Sequence, residues 1–362
     1  ELYKAAALYF ARIHDLEMAS NLCLKMEKEA VLCGKSEDAL AGDLSFLRGK
    51  IDHYRKKPYW PKNIQQRLEL SKVYDEKGCQ LVPEYADKVI PAFDMIKNSI
   101  TIHRGCFGGC NFCTIAAHQG KFIQSRSMES IVAEVEKLVG MPFFKGVISD
   151  VGAPTANMYT MGGKDKTKCA KCARKSCLFP NRCPNLNHSH ENILELYKRI
   201  GKIKGVKRSF VGSGIRYDLF LDKDGFLDDT SYPYFKEVVT RHTSGWFKVA
   251  PEHTEDKVLK LMAKPPFALF SVLRREFDNL MRKEKLNYKI VPYFISSHPG
   301  CELNDMIALS KNKDLKGISL EQVQDFTPTP MTASSAMFYS GMDTRGEKPI
   351  FVEKNMTAKK RQ

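Results

Sequence analysis

The chain has 362 residues, and 57 Lys+Arg against 42 Asp+Glu give it a formal charge of +15. A hydrophobic fraction of 43% is that of an ordinary globular protein and excludes wholesale disorder. No uncharged apolar run approaches the roughly 18 residues that a membrane span needs. At roughly 150 residues per domain, the length predicts about two domains, or one barrel-sized domain with attachments. No signal-peptide pattern is present, and the chain reads as cytoplasmic, with no membrane partner. It begins at Glu1 and ends in Lys359-Lys360-Arg361-Gln362, and it is expected to be a piece of a longer protein. The charge admits nucleic acid or other anionic partners.

In chain order, residues 1–50 place Leu2, Ala5, Ala6, Tyr9, Phe10 and Ile13 at helical spacing, which predicts amphipathic helices packing on a neighbour. Pro58, Pro61 and Pro83 then punctuate a loop-rich connector. From about residue 98 the pattern alternates. Strands are predicted over 98–103, 145–150, 207–213, 245–250, 288–295 and 317–323. Helices are predicted over 127–139, 190–203, 232–241, 254–263, 267–285 and 302–313. Six strand–helix repeats without hairpin signals imply an α/β fold with a parallel sheet. A dinucleotide-binding fold is the competing architecture, but Tyr217 stands where a third glycine should follow Gly212-x-Gly214. Residues 158–190 break the rhythm as an insertion after the second strand.

Eleven cysteines are present, and seven are clustered. Cys23, Cys33, Cys79 and Cys301 are scattered and read as buried or incidental thiols. Cys106, Cys110 and Cys113 form C-x3-C-x2-C, and Cys169, Cys172, Cys177 and Cys183 form C-x2-C-x4-C-x5-C within the insertion. A disulfide framework fits poorly, because the chain is long, lacks a secretion signal and has an odd cysteine total. Thiolates in a reducing compartment suit zinc or iron–sulfur clusters. The triplet is one ligand short of a closed zinc tetrahedron, whereas three thiolates on a cubane leave one iron open. Gly105, Gly108 and Gly109 let the loop wrap tightly and bring amide N–H groups toward a negative cluster. The loop follows a predicted strand and precedes a helix, where βα barrels place their chemistry. Around the four-cysteine group stand Lys164, Lys166, Lys168, Lys171, Arg174, Lys175 and Arg182, cations that favour thiolates. Structural zinc and an auxiliary iron–sulfur cluster both remain open there. His188 and His190 lie close, but a surface histidine is more often solvated than a ligand.

The triplet, with Phe112 just before its third cysteine, resembles the signature of the radical S-adenosylmethionine (radical SAM) enzymes. The stretch from His103 to Ser127 is similar to the YgiQ-type subfamily. So are the segments from Ser149 to Tyr159, Gly212 to Leu219, Val249 to Glu255, Pro292 to Gly300 and Gln322 to Phe326. The resemblance covers about residues 50 to 350. It implies a partial (β/α)6 TIM-like barrel over 96–326, preceded by a helical segment and connector over 1–95 and followed by a truncated extension over 327–362. It also implies that Cys106, Cys110 and Cys113 hold a 4Fe–4S cluster whose fourth iron takes S-adenosylmethionine. One electron then cleaves the sulfonium, and the resulting 5′-deoxyadenosyl radical abstracts hydrogen from a substrate. A reductant such as flavodoxin or ferredoxin is implied as partner.

The same resemblance implies the cofactor-binding residues. Phe112 packs near the adenine. Gly152, Ala153 and Pro154 end the second strand facing the methionine amino group; Ala153 departs from the family's paired glycines, which doubts close backbone approach there. Ser213 and Arg216 end the third strand near ribose or carboxylate, for which Arg offers a bidentate fork. Glu252 binds ribose hydroxyls, and Ile295 to Pro299 lies where the adenine-contacting motif is expected. Asp150 and His298 fall near the substrate end without an assigned role. The bland alternative for each charged residue is a surface ion pair of little worth. Two other functions compete: a basic nucleic-acid-binding protein with structural zinc, and a cluster-bearing protein lacking catalysis. A tRNA-modifying radical SAM enzyme would combine RNA binding with the first reading, but the charge is spread along the chain and no aromatic-basic RNA motif is evident.

Overall fold

The computed structural model describes residues 91–318 and 320–362. The helices expected over 1–50, the proline-punctuated connector, and Cys23, Cys33 and Cys79 lie outside the described residues. Residues 92–362 form one of two compact units of the chain. Among the described residues helices and strands alternate, a mixed α/β arrangement.

Seven strands carry the core: β1 (Ser99–Thr101), β2 (Val147–Ile148), β3 (Asp150–Gly152), β4 (Arg208–Ser209), β5 (Trp246–Glu252), β6 (Lys289–Ser296) and β7 (Gln322–Asp325). The main helices are α1 (Met128–Val139), α2 (Glu191–Gly201), α3 (Ser231–Arg241), α4 (Asp256–Met262), α5 (Ala268–Glu284), α6 (Leu303–Ser310) and α7 (Ala333–Ser340). The first six lie within a few residues of the predicted ranges, because each carries apolar positions three and four apart. α1 buries Ile131, Val135 and Leu138, and the Ser127 hydroxyl caps it by accepting from the Ser130 N–H at 3.2 Å. α5 buries Phe270, Leu273, Phe277 and Leu280 in the same way. Each large apolar side chain so buried contributes roughly 1.5–3 kcal/mol.

The pairing among these strands is parallel throughout, β1 with β3, β2 with β4, β5 with β6 and β6 with β7. Ile100 pairs with Val151, Ile148 with Ser209, Phe247 with Ile290, and Tyr293 with Gln322. A single parallel bridge, Ile215 to Val249, joins the third position to the fourth. Parallel neighbours need long crossovers, and the helices supply them. The single sheet expected from the sequence is interrupted: the described pairings form one three-stranded and five two-stranded sheets. The physical reason is visible at the breaks. Pro154 follows β3, Gly212 and Gly214 follow β4, and Pro251 sits where the register of β5 against β6 shifts between Val249 and Glu252. Proline lacks the ladder donor and glycine lacks a side chain to pack.

Three short hairpins, unforeseen in the sequence, decorate this frame: His103–Arg104 with Gln124–Ser125, Gly162–Gly163 with Leu186–Asn187, and Leu221–Asp222 with Gly225–Phe226. In β6 burial alternates with period two. Ile290, Pro292, Phe294 and Ser296 are buried on one face, while Val291, Tyr293 and Ile295 are half-buried on the other.

Candidate active site

The cysteine triplet lies in the loop after β1, and the loop is pinned from several sides. The Cys106 N–H donates to the Gly120 carbonyl at 3.1 Å, and the Cys113 N–H to the Cys110 carbonyl at 3.2 Å. Asn111 bonds to α4 through its N–H to the Met262 carbonyl at 2.9 Å and its Nδ2 to the Leu261 carbonyl at 2.8 Å. Its carbonyl accepts from the Ser334 N–H of α7 at 2.9 Å, so the C-terminal extension packs on the triplet loop. Cys106 and Phe107 are buried in a small apolar cluster with Met158, Met161, Leu178, Leu186 and Leu219.

Polar groups surround the sulfurs. The Gly108 N–H donates to Cys106 Sγ at 3.4 Å, and Thr155 Oγ1 lies 3.4 Å from the same sulfur. Arg216 Nη1 donates to Cys110 Sγ at 3.2 Å. The guanidinium approaches so closely that a Cβ on Gly108 would stand 2.6 Å from Nη1. The rest of the Arg216 fork is taken by Asp218, with Nε at 3.0 Å and Nη2 at 2.5 Å from its two oxygens. The sequence places Arg216 near ribose or carboxylate; the structure places it against a thiol and a buried carboxylate. Asn157, fully buried, fixes its backbone, accepting from the Arg216 N–H at 3.0 Å and donating to its carbonyl at 2.9 Å. Burial pushes the Cys106 and Cys113 thiols up, while the Arg216 charge pulls Cys106 back down. The Arg216 charge holds Asp218 below the usual carboxylate range against its burial.

The donor set fits an iron–sulfur cluster. Three soft thiols feel one another's charge and receive N–H and guanidinium donors, with Cys106 buried and Cys110 and Cys113 half-buried. Among the described residues no three His, Cys, Asp or Glu side chains converge on a point that one metal ion could hold. A cubane differs from a single ion here, because each thiolate binds a different iron.

Beside this loop lies a cavity of about 430 Å³, lined by Phe112 from the loop, Gly212 and Gly214, Val249 and Glu252 of β5, and Tyr293 and Ile295 of β6. Cavities of this size hold small-molecule ligands. Glu252 is buried, and its φ of 71° is in the left-handed region, which costs a non-glycine residue on the order of 1 kcal/mol or more. Burial raises its carboxyl pKa and the Lys264 ammonium, 3.6 Å away, opposes that rise. Lys264 Nζ also donates to the Ala250 carbonyl at 2.7 Å.

The cavity thus brings together Phe112, Glu252 and Ile295. Gly152, Ala153, Pro154, Ser213 and Arg216 do not line it. Gly152 is buried with its α-carbon against Ser213 and the Asp150 carboxylate, Ala153 packs on the main core, and Pro154 is half-buried. The Ser213 hydroxyl donates to Asp150, which also accepts from the Gly212 N–H at 2.8 Å. His298 is buried, its Nε2 2.6 Å from Ser334 Oγ and its ring edge-on to Phe112 at 6.4 Å. Cys169, Cys172, Cys177 and Cys183 line a separate cavity of about 220 Å³. Thr155, Asn157, Asp218 and Lys264 are site residues that sequence reasoning missed. Thr155, Asn157 and Asp218 lie inside segments that carry the resemblance, whereas Lys264 carried no signal.

Comparison with known proteins gives relatives and a distant structure. The chain is 50% identical over 305 residues to a UPF0313 protein of Bacteroides thetaiotaomicron, covering 83% of this chain and 49% of the relative. It is 45% identical over 277 residues to a UPF0313 protein of Methanosarcina acetivorans, covering 76% of this chain and 36% of the relative. The chain spans about half the length, or less, of these curated relatives. No family model matches. Among solved structures it is similar to the radical S-adenosylmethionine methyltransferase TsrM from Kitasatospora setae with cobalamin and a 4Fe–4S cluster bound. That likeness has a TM-score of 0.41 at 14% identity, over 66% of this chain and 38% of the other. A likeness so slight carries no argument about fold or chemistry.

Proposed function

We propose that residues 96–326 are the core of a radical SAM enzyme of the YgiQ type, folded as a partial barrel of six strand–helix units. Residues 158–190 are an insertion in it, and 1–95 and 327–362 belong to neighbouring parts of a longer protein. The observation that carries this reading is the pairing of a three-thiol loop with a ligand-sized cavity into which the same loop projects Phe112. In this reading Cys106, Cys110 and Cys113 hold a 4Fe–4S cluster, and S-adenosylmethionine occupies the cavity. When held there, the cluster would supply the single electron that splits S-adenosylmethionine into methionine and a radical fragment able to take hydrogen from a substrate.

The chain's own residues bind, orient and shield. Phe112 offers its ring to the adenine, with Ile295 and Tyr293 as the apolar wall. Glu252 accepts hydrogen bonds from ribose hydroxyls, and the Lys264 ammonium opposes the rise that burial imposes on its carboxyl pKa. Arg216 and the Gly108 N–H offset the negative charge of thiolates, and Asp218 fixes the Arg216 fork. The buried Phe107, Met158 and Leu219 pack with Cys106 and keep water from its sulfur. A ferredoxin- or flavodoxin-class donor supplies the electron.

Anaerobic iron reconstitution tests the assignment. The unmodified chain is expected to gain a brown iron–sulfur chromophore whose reduced-state electron paramagnetic resonance shifts on adding S-adenosylmethionine. Glu252→Gln should keep the iron and weaken S-adenosylmethionine binding roughly tenfold, the worth of a hydrogen bond to a charged group. A reduced spectrum indifferent to S-adenosylmethionine would refute the reading.

A further inference from the structure

We propose that Cys169, Cys172, Cys177 and Cys183 form a second metal centre, a tetrathiolate site that takes zinc or an iron–sulfur cluster and braces the triplet loop. The proposal stands on its own residues and does not rest on the radical SAM reading.

All four thiols line one cavity of about 220 Å³, although fourteen positions separate the first from the last. The insertion is folded to bring them there. The Gly162–Gly163 and Leu186–Asn187 hairpin clamps its two ends. The Cys172 N–H donates to the Cys169 carbonyl at 3.1 Å and closes the first turn. The Cys183 N–H donates to the Cys177 carbonyl at 2.7 Å and closes the second. The first half is therefore a tight turn and the second a short closed loop, and both present their sulfurs to the same cavity.

The surroundings suit a complex of four thiolates with a divalent metal, which carries two net negative charges. Lys121, Lys168 and Arg174 line the same cavity. Lys121 Nζ is 3.9 Å from Cys172 Sγ, and Asn185 Nδ2 donates to Cys169 Sγ at 3.3 Å. Donors to the sulfurs stabilise metal thiolates. Phe107, Phe122, Ile123 and Leu186 close the apolar side. No three of the four sulfurs converge on a single point. Zinc therefore requires the turns to rotate their sulfurs inward to about 3.8 Å of each other, the spacing set by Zn–S bonds near 2.3 Å. A cluster takes ligands that stand farther apart.

The same insertion holds the triplet loop. The Cys177 N–H donates to the Phe107 carbonyl at 3.0 Å, and Ser176 Oγ to the Gly108 carbonyl at 2.7 Å. A Cβ on Gly109 would stand 2.7 Å from the Lys175 carbonyl. Cys177 and Cys183 pack against the apolar cluster that contains Cys106. Metal bound by the quartet fixes this seam.

The test isolates the quartet. In the full chain carrying Cys106→Ala, Cys110→Ala and Cys113→Ala, metal is counted after desalting in two arms: zinc, or ferrous iron with sulfide under anaerobic conditions. About one zinc or about four irons should remain, and adding Cys172→Ser and Cys177→Ser should release them. The unmodified chain, counted in parallel, guards against misfolding and should hold that metal in addition to the triplet's. Conversely, Cys172→Ser and Cys177→Ser with the triplet intact should speed iron loss to a chelator several-fold. If the triplet-free chain retains neither metal, and the unmodified chain holds only the triplet's iron, the proposal is overturned. Unchanged chelator kinetics overturn the brace alone.

Discussion

At Arg216 two demands meet. Its fork neutralises Asp218 and its remaining nitrogen reaches Cys110, all in a site where both partners of the ion pair are nearly excluded from water. Removing one partner leaves an uncompensated buried charge. Arg216→Met should therefore cost about 3–5 kcal/mol in urea unfolding, and adding Asp218→Leu should recover most of that loss. Wild-type stability in the single variant would contradict the pairing. Gly108→Ala forces a methyl group toward the guanidinium and should lower iron retention without unfolding the chain, read as iron per chain beside the circular dichroism. The triplet, Phe112 and Glu252 were legible in the sequence because spacing and local segments carry them. The contacts of Arg216 were not, because Cys110 lies 106 positions away. Lys264 was equally hidden, since its burial against Glu252 depends on how α4 returns to β5.

Elements were more legible than contacts. Helices announce themselves by apolar spacing, and α1 adds a capping serine. Ser127→Ala should cost about 1 kcal/mol by chemical denaturation, and no measurable change would mean that the cap hydrogen bond contributes nothing. Strand positions were also readable, because β5 and β6 are apolar runs between turn residues. Their continuity was not, because Pro154, Pro251, Gly212 and Gly214 interrupt pairing at the strand ends. Those interruptions are where the site lies: the register shift between Val249 and Glu252 and the glycines after β4 line the cavity. The hairpins escaped notice since each strand has only two residues, too few for an alternation to register.

Among the described residues, four buried histidines with strongly lowered pKa values shape the acid response. Burial lowers His103, His253 and His298 to about 4 and His190 to about 3, from 6.5. The unfolded chain therefore binds more protons than the folded one between these values. Stability from these groups is full above about pH 6.5 and is lost as the pH falls toward 4. The denaturant midpoint should fall between about pH 7 and pH 5, before most carboxylates titrate; a flat profile would contradict the neutral, buried assignments. No helix among the described residues is long and apolar enough to cross a membrane. The surplus positive charge, the first feature of the sequence, acquires a local use: Lys121, Lys168 and Arg174 surround the quartet, and Arg216 serves the triplet. The central claim is that the triplet and its neighbouring cavity cleave S-adenosylmethionine. The most direct measurement is 5′-deoxyadenosine released by the reconstituted, dithionite-reduced chain, quantified by chromatography. Release by the unmodified chain and none by Cys110→Ala is the result predicted; intact S-adenosylmethionine beside a chain fully loaded with iron at the triplet would contradict it.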